Sequence, residues 1–65
     1  SMEYVVDSIV AHRFSSEFPL DITKAKFRVH WKGYEDSEDT WEDWNTVKDL
    51  KALDEYGREN PDVRL

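Results

Sequence analysis

The 65-residue chain has no cysteine, only two glycines, two prolines, two histidines and one methionine. Without cysteine it can build neither a disulfide staple nor a thiolate zinc site, which fits a reducing compartment. His12 and His30 lie far apart with no evident third ligand, so no metal site is expected, and both read as surface positions on strands. No apolar run approaches the ~20 residues of a membrane span, and nothing resembles a signal peptide. Gly-rich phosphate loops and nucleophile–base pairs are also missing. The acids are many, but none sits in an apolar setting that would raise its pKa for general acid work. The sequence therefore predicts a non-catalytic domain without a cofactor. A chain this short buries only ~60% of its unfolded surface, which leaves room for one thin core and one binding surface.

What the chain does have is acid and aromatic rings. Fifteen acids against nine bases give a net charge of −6. That sign opposes binding to a nucleic-acid backbone and favours a basic partner. All three tryptophans, Trp31, Trp41 and Trp44, fall in one stretch, FRVHWKGYEDSEDTWEDW, from Phe27 to Trp44. In it Trp31 and Tyr34 flank Lys32-Gly33, where a strand enters an acidic turn.

Residues 3–14, EYVVDSIVAHRF, read as a strand rich in β-branched residues. Adjacent apolar pairs, Val5-Val6 and Ile9-Val10, interrupt its alternation. The strand is thus either covered on both faces or bent so that its halves face different partners. Residues 15–23 form a connection in which Pro19 forbids a central strand and Phe18 and Leu20 should fold back as a lid on the core. From 24 to 32, Ala25, Phe27, Val29 and Trp31 alternate with Lys24, Lys26, Arg28 and His30. This is the period of a half-buried strand. Thr40-Trp41-Glu42 makes a short third strand. From Thr46 to about Arg58 the apolar residues Val47, Leu50, Leu53 and Tyr56 recur on one helical stripe. Thr46 and Asp49 approximate a capping box, and Gly57 and Pro61 mark the stop.

YVVDSIV, then FRVHWKGY, then an acidic turn, DTWED and an amphipathic helix, resemble a chromodomain. The resemblance covers residues 3 to about 58. It sets the expected domain at 3–60, with Ser1-Met2 as an expression scar and 61–65 as a tail. It implies a small α+β fold, a curved three-stranded antiparallel sheet (an SH3-like partial barrel) closed by a C-terminal α-helix. It implies a reader of di- or trimethylated lysine on a histone tail, nuclear and chromatin-associated, monomeric as an isolated domain. Tyr4, Trp31 and Tyr34 would form the aromatic cage and Glu38 its acidic support. The tail would add as a β-strand between Glu3, Val5, Val6 and Asp7 and the segment before the helix. Trp41 matches a core position of the family.

On periodicity alone Trp31 continues the inward face of Phe27 and Val29. The sequence also departs from the family pattern. Its first loop is longer, and Asp43-Trp44 follows TWE where most members have proline. The family's clamp asparagine should fall near Thr46, so either Asn45 or Thr46 takes that role, and Lys48 stands where an acid is common. An alternative is a chromodomain-like protein-interaction module that uses Trp44 and the Phe18-Leu20 loop. Nucleic-acid binding through Lys24, Lys26, Arg28 and His30 is disfavoured by the net charge.

Overall fold

The computed structural model of the chain describes residues 3–63. Ser1-Met2 and the last two residues of the expected tail lie outside the described residues. The strands β1 (Val6–Arg13), β2 (Lys26–Trp31) and β3 (Thr40–Asp43) form an antiparallel sheet in the order β1-β2-β3. Two helices follow, α1 (Trp44–Val47) and α2 (Lys51–Glu59). The small α+β fold read from the sequence is the one observed.

The adjacent apolar pair Ile9-Val10 in β1 has a specific cause. The pairing of this strand with β2 slips between Val6 and Ser8 and again between Ile9 and Ala11. Each slip inserts an unopposed residue, Asp7 and then Val10. Val10 is half exposed while Ile9 is buried, so the strand bends and is not covered on both faces. Bulges of this kind raise local twist and curve a sheet.

β2 behaves as its alternation predicts, with Phe27 and Val29 fully buried. It starts at Lys26 because Ile22–Lys24 forms a 3-10 turn, capped by the Asp21 carboxylate accepting from Thr23 N–H at 3.0 Å. The Thr23 hydroxyl also donates to this carboxylate, at 2.6 Å, and that bond together with the N–H bond holds the Asp21 pKa below the ordinary carboxylate value. Phe18 and Leu20 do not form a lid. Phe18 is half exposed and Leu20 is 98% exposed; Ile22 makes the loop's contact with the core instead.

Register also corrects the expected role of two tryptophans. Arg28 pairs with Trp41, and Phe27 with Glu42, so Trp41 shares the outer face with Arg28 and is 38% exposed. It is not core. Trp44 takes the inner place, its ring centroid 6.1 Å from that of Phe27.

The predicted helix is two helices. Leu50 is extended (φ −86°, ψ 139°) and separates α1 from α2. The apolar stripe survives the break: Val47 and Leu53 are both fully buried. Because Thr46 lies inside α1 and α2 starts after Leu50, the Thr46–Asp49 capping box does not form. The residues preceding the two helices, Asp43 and Leu50, make no side-chain cap bond. Gly57 does not stop α2 but sits within it. A Cβ there would come within 3.1 Å of the Val63 carbonyl oxygen, and Val63 is buried in the core. Glycine thus admits the returning chain.

Neither histidine is a bare surface residue. His12 bridges Tyr56 and Asp62, at 2.6 and 2.8 Å. A single tautomer satisfies both contacts, with the Tyr56 hydroxyl donating to Nδ1 and Nε2–H donating to the carboxylate. Burial raises the Tyr56 pKa. His30 Nδ1 lies 2.7 Å from Asp39 Oδ1 and 3.4 Å from Asp36 Oδ1, tying β2 to the 3-10 turn Asp36–Glu38. The hydrogen bond to Asp39 raises the His30 pKa above its ordinary 6.5, helped by the charges of Asp39, Asp36 and Asp7.

Two outcomes follow from these placements. In urea denaturation, Trp44→Ala is expected to cost about 3 kcal/mol, as for a large core truncation, and Trp41→Ala about 1 kcal/mol. The His30–Asp39 pair stabilises the fold most when His30 is charged. Its contribution is therefore full below the unfolded pKa near 6.5 and is lost as pH rises through the raised folded value. The urea midpoint should fall as pH rises from about 6 through the raised folded pKa of His30, and His30→Gln should remove that part of the fall.

Candidate functional site

Three rings meet where β2 ends. Trp31 is the last residue of β2 and sits opposite Val6. Gly33, at φ +82°, turns the chain immediately after it, a conformation glycine adopts without steric cost. Tyr34 N–H then donates to the Trp31 carbonyl at 3.1 Å, which closes the turn and returns Tyr34 beside Trp31. Tyr4 is brought in by the backbone: Lys32 N–H donates to the Val5 carbonyl at 2.8 Å and fixes the N-terminal segment against this corner. The Tyr4 centroid lies 6.0 Å from that of Trp31, with planes at 72°, and 5.9 Å from that of Tyr34, with planes at 35°.

The three rings line a cavity of about 350 Å³ whose other walls are Glu38, Thr40 and Glu42. Glu38 reaches it from the acidic turn that His30 and Asp39 brace. Thr40 and Glu42 are site residues that sequence reading missed. Both lie on the Phe27 side of β3, Thr40 opposite Val29 and Glu42 opposite Phe27. Only the β2–β3 register reveals that they share a face with Trp31. They form a relay: Trp31 Nε1–H donates to Thr40 Oγ1 at 2.8 Å, and Thr40 O–H donates to Glu42 Oε2 at 2.7 Å. The indole is thereby fixed in orientation by two residues that also line the cavity.

A groove of about 620 Å³ begins at Tyr4 and Trp31 and runs away from the cavity. Val5, Val6 and Asp7 form one wall; Thr46, Leu50, Lys51, Ala52 and Glu55 form the other. β1 is an edge strand of the sheet, so this wall presents backbone groups that no strand of the sheet takes. Of the sequence-predicted clamp, Val5, Val6, Asp7 and Thr46 line the groove. Glu3 is exposed and is not part of its wall. Asn45 lines a separate cavity with Lys24, Lys26 and Asp43. Lys48 is exposed outside the groove, and the α2 wall of Lys51, Ala52 and Glu55 was not foreseen.

Chemically, the corner suits a cation without hydrogen-bond donors. Ring faces attract such a charge and remove its methyl surface from water, at about 0.5–2 kcal/mol per ring. Glu38 and Glu42 add charge attraction. Beneath the corner, His30, Asp36 and Asp39 place ligand atoms within 4.8 Å of one another. The acids of the turn thus come beside His30, which the sequence left without evident partners. The close His30–Asp39 hydrogen bond accounts for their meeting.

Comparison with known proteins agrees with this architecture. Residues 4–59 match the Chromo (CHRromatin Organisation MOdifier) domain family. A stretch of 40 residues, 62% of this chain, is 45% identical to the protein called DNA (cytosine-5)-methyltransferase CMT2 from Arabidopsis thaliana. That stretch covers 3% of the relative's length. No solved structure matches the chain significantly. With the family match running from Tyr4 to the end of α2, the chain belongs to the chromodomain family.

Proposed function

We propose that this chromodomain binds a di- or trimethylated lysine of a histone tail, with Tyr4, Trp31 and Tyr34 as the cage. The single observation that carries the reading is the meeting of these three rings around one cavity that two carboxylates also line. A trimethylammonium group keeps its charge but offers no N–H, so ring faces and nearby acids are the groups that can select it. Lower methylation states keep an N–H that Glu38 or Glu42 can accept.

The groove beside the cage supports the rest of the reading. An extended tail lying against Val5, Val6 and Asp7 would add a strand to the free edge of β1, with backbone bonds for affinity and side-chain pockets for register. Thr46, which faces that groove, is the clamp residue in this reading; Asn45 is not. Asp7 and Glu55 on the groove walls, offset in part by Lys51, and Glu38 and Glu42 at the cage attract a basic tail and raise its association rate. The domain itself supplies address and no chemistry, holding whatever longer protein carries it on chromatin in the nucleus.

Titration with a trimethyl-lysine histone peptide and its unmodified twin, followed by tryptophan fluorescence, tests the cage. Micromolar binding of the methylated peptide alone, lost in Trp31→Ala, is the expected result. Equal binding of both peptides would sink the assignment and turn attention to the exposed Phe18-Leu20 loop as a partner surface. Thr40→Val removes the acceptor for the indole N–H and leaves every ring in place. It should weaken methylated-peptide binding by about 1 kcal/mol, the worth of one hydrogen bond, or roughly fivefold.

A further inference from the structure

The charge of −6 is not spread evenly. Glu38 and Glu42 line the aromatic corner on the inner side of the sheet, and α2 carries Asp54, Glu55 and Glu59. On the outer face, cross-strand rows bring together Ala11, Arg28 and Trp41, and beside them Arg13, Lys26 and Asp43. Lys26 is paired with Asp43. Arg13 and Arg28 have no carboxylate within ion-pair distance among the described residues. Instead their guanidinium carbons lie 4.8 and 5.8 Å from the centre of the Trp41 ring. In the connection between the same two strands, the Lys24 ammonium lies 5.9 Å from the centre of the half-exposed Phe18 ring. The His30 end of the face is acidic, with Asp36 and Asp39 against the imidazole. The cations and rings are therefore confined to the half that holds Arg13.

We propose that this half of the outer face binds single-stranded nucleic acid, at a site separate from the cage. A guanidinium is a flat fork of donors that matches a phosphate in two bonds. A tryptophan ring is a stacking platform for any base. Trp41 is partly exposed, and the guanidiniums over its ring occupy the place a base would take. A base entering there leaves the displaced guanidinium beside the flanking phosphate. A flexible strand can bring base and phosphate to the same spot. A duplex keeps its bases stacked inside, and this sheet face offers no helix or ribbon to enter a groove. Net charge disfavours nucleic acid when the chain is read as a whole. Register changes that balance, because it sets Arg13 and Trp41 beside Arg28, with Lys24 in the adjoining connection, and leaves the cage acids on the other side; Lys26 is already neutralised by Asp43. With about three phosphates neutralised, binding should be weak, with a Kd of about 10–100 μM and a slope of log K against log salt of about −2.

The test is a polarisation titration of the 65-residue chain with a labelled single-stranded oligonucleotide of mixed sequence at low salt. Arg13→Glu/Arg28→Glu should bind it at least about tenfold more weakly, and Trp41→Leu at least about threefold more weakly. The arginine variant should keep its circular dichroism spectrum and its affinity for the trimethyl-lysine peptide, which separates loss of this site from misfolding and from failure of the cage. No binding at about 100 μM chain, undiminished binding by the arginine variant, or tighter binding of the same sequence as a duplex would each overturn the proposal.

Discussion

The period-two alternation of β2, fixed against β1 on one side and β3 on the other, is the constraint on which the rest depends. It sends Phe27 and Val29 into the core, where both are fully buried, and leaves Trp31 as the last residue of the inward row. Trp31 does two things at once. It packs against the buried cluster and also lines both the aromatic cavity and the groove. A slip of one residue would turn every side chain of β2 to the opposite face and dissolve core and corner together. The site is therefore as well determined as the core it grows from.

Local geometry then completes the corner cheaply. One glycine with positive φ returns Tyr34 to Trp31. One backbone hydrogen bond from Lys32 brings the N-terminal segment, and with it Tyr4, to the same place. Tyr4 remains 64% exposed, so of the three rings it is held least by packing. Two further hydrogen bonds run from Trp31 through Thr40 to Glu42 and fix the largest ring. Rigid positioning of this kind limits the ordering cost a ligand would meet on arrival.

Much of this was legible in the sequence. Strong alternation in β2, a glycine between two aromatics and an apolar helical stripe each have one simple structural solution, and each appears where the residues place it. The misses share a physical origin. Trp41 and Trp44 look alike in composition, and only the pairing of Arg28 with Trp41 tells outer face from inner. Thr40 and Glu42 were invisible as site residues for the same reason. The break at Leu50 was hidden because Val47, Leu50 and Leu53 keep one stripe whether or not the helix is continuous. His30 met its acids only because the turn folds back on β2. Cross-strand register is a long-range property, and local pattern does not contain it.

The close approach at Gly57 bears on where this unit physically ends. The family match stops at residue 59, yet Val63 is as buried as the central strand residues. The Asn60 side-chain amide holds the Tyr56 carbonyl, and Asp62 reaches the ring of His12. The chain that follows α2 is thus a clasp, fastened to the first strand and seated over a glycine that leaves it space. A version trimmed at the end of α2 would keep every residue of the aromatic corner and still lose part of its hydrophobic interior. Sequence similarity marks the extent of common ancestry; the packing marks a later boundary.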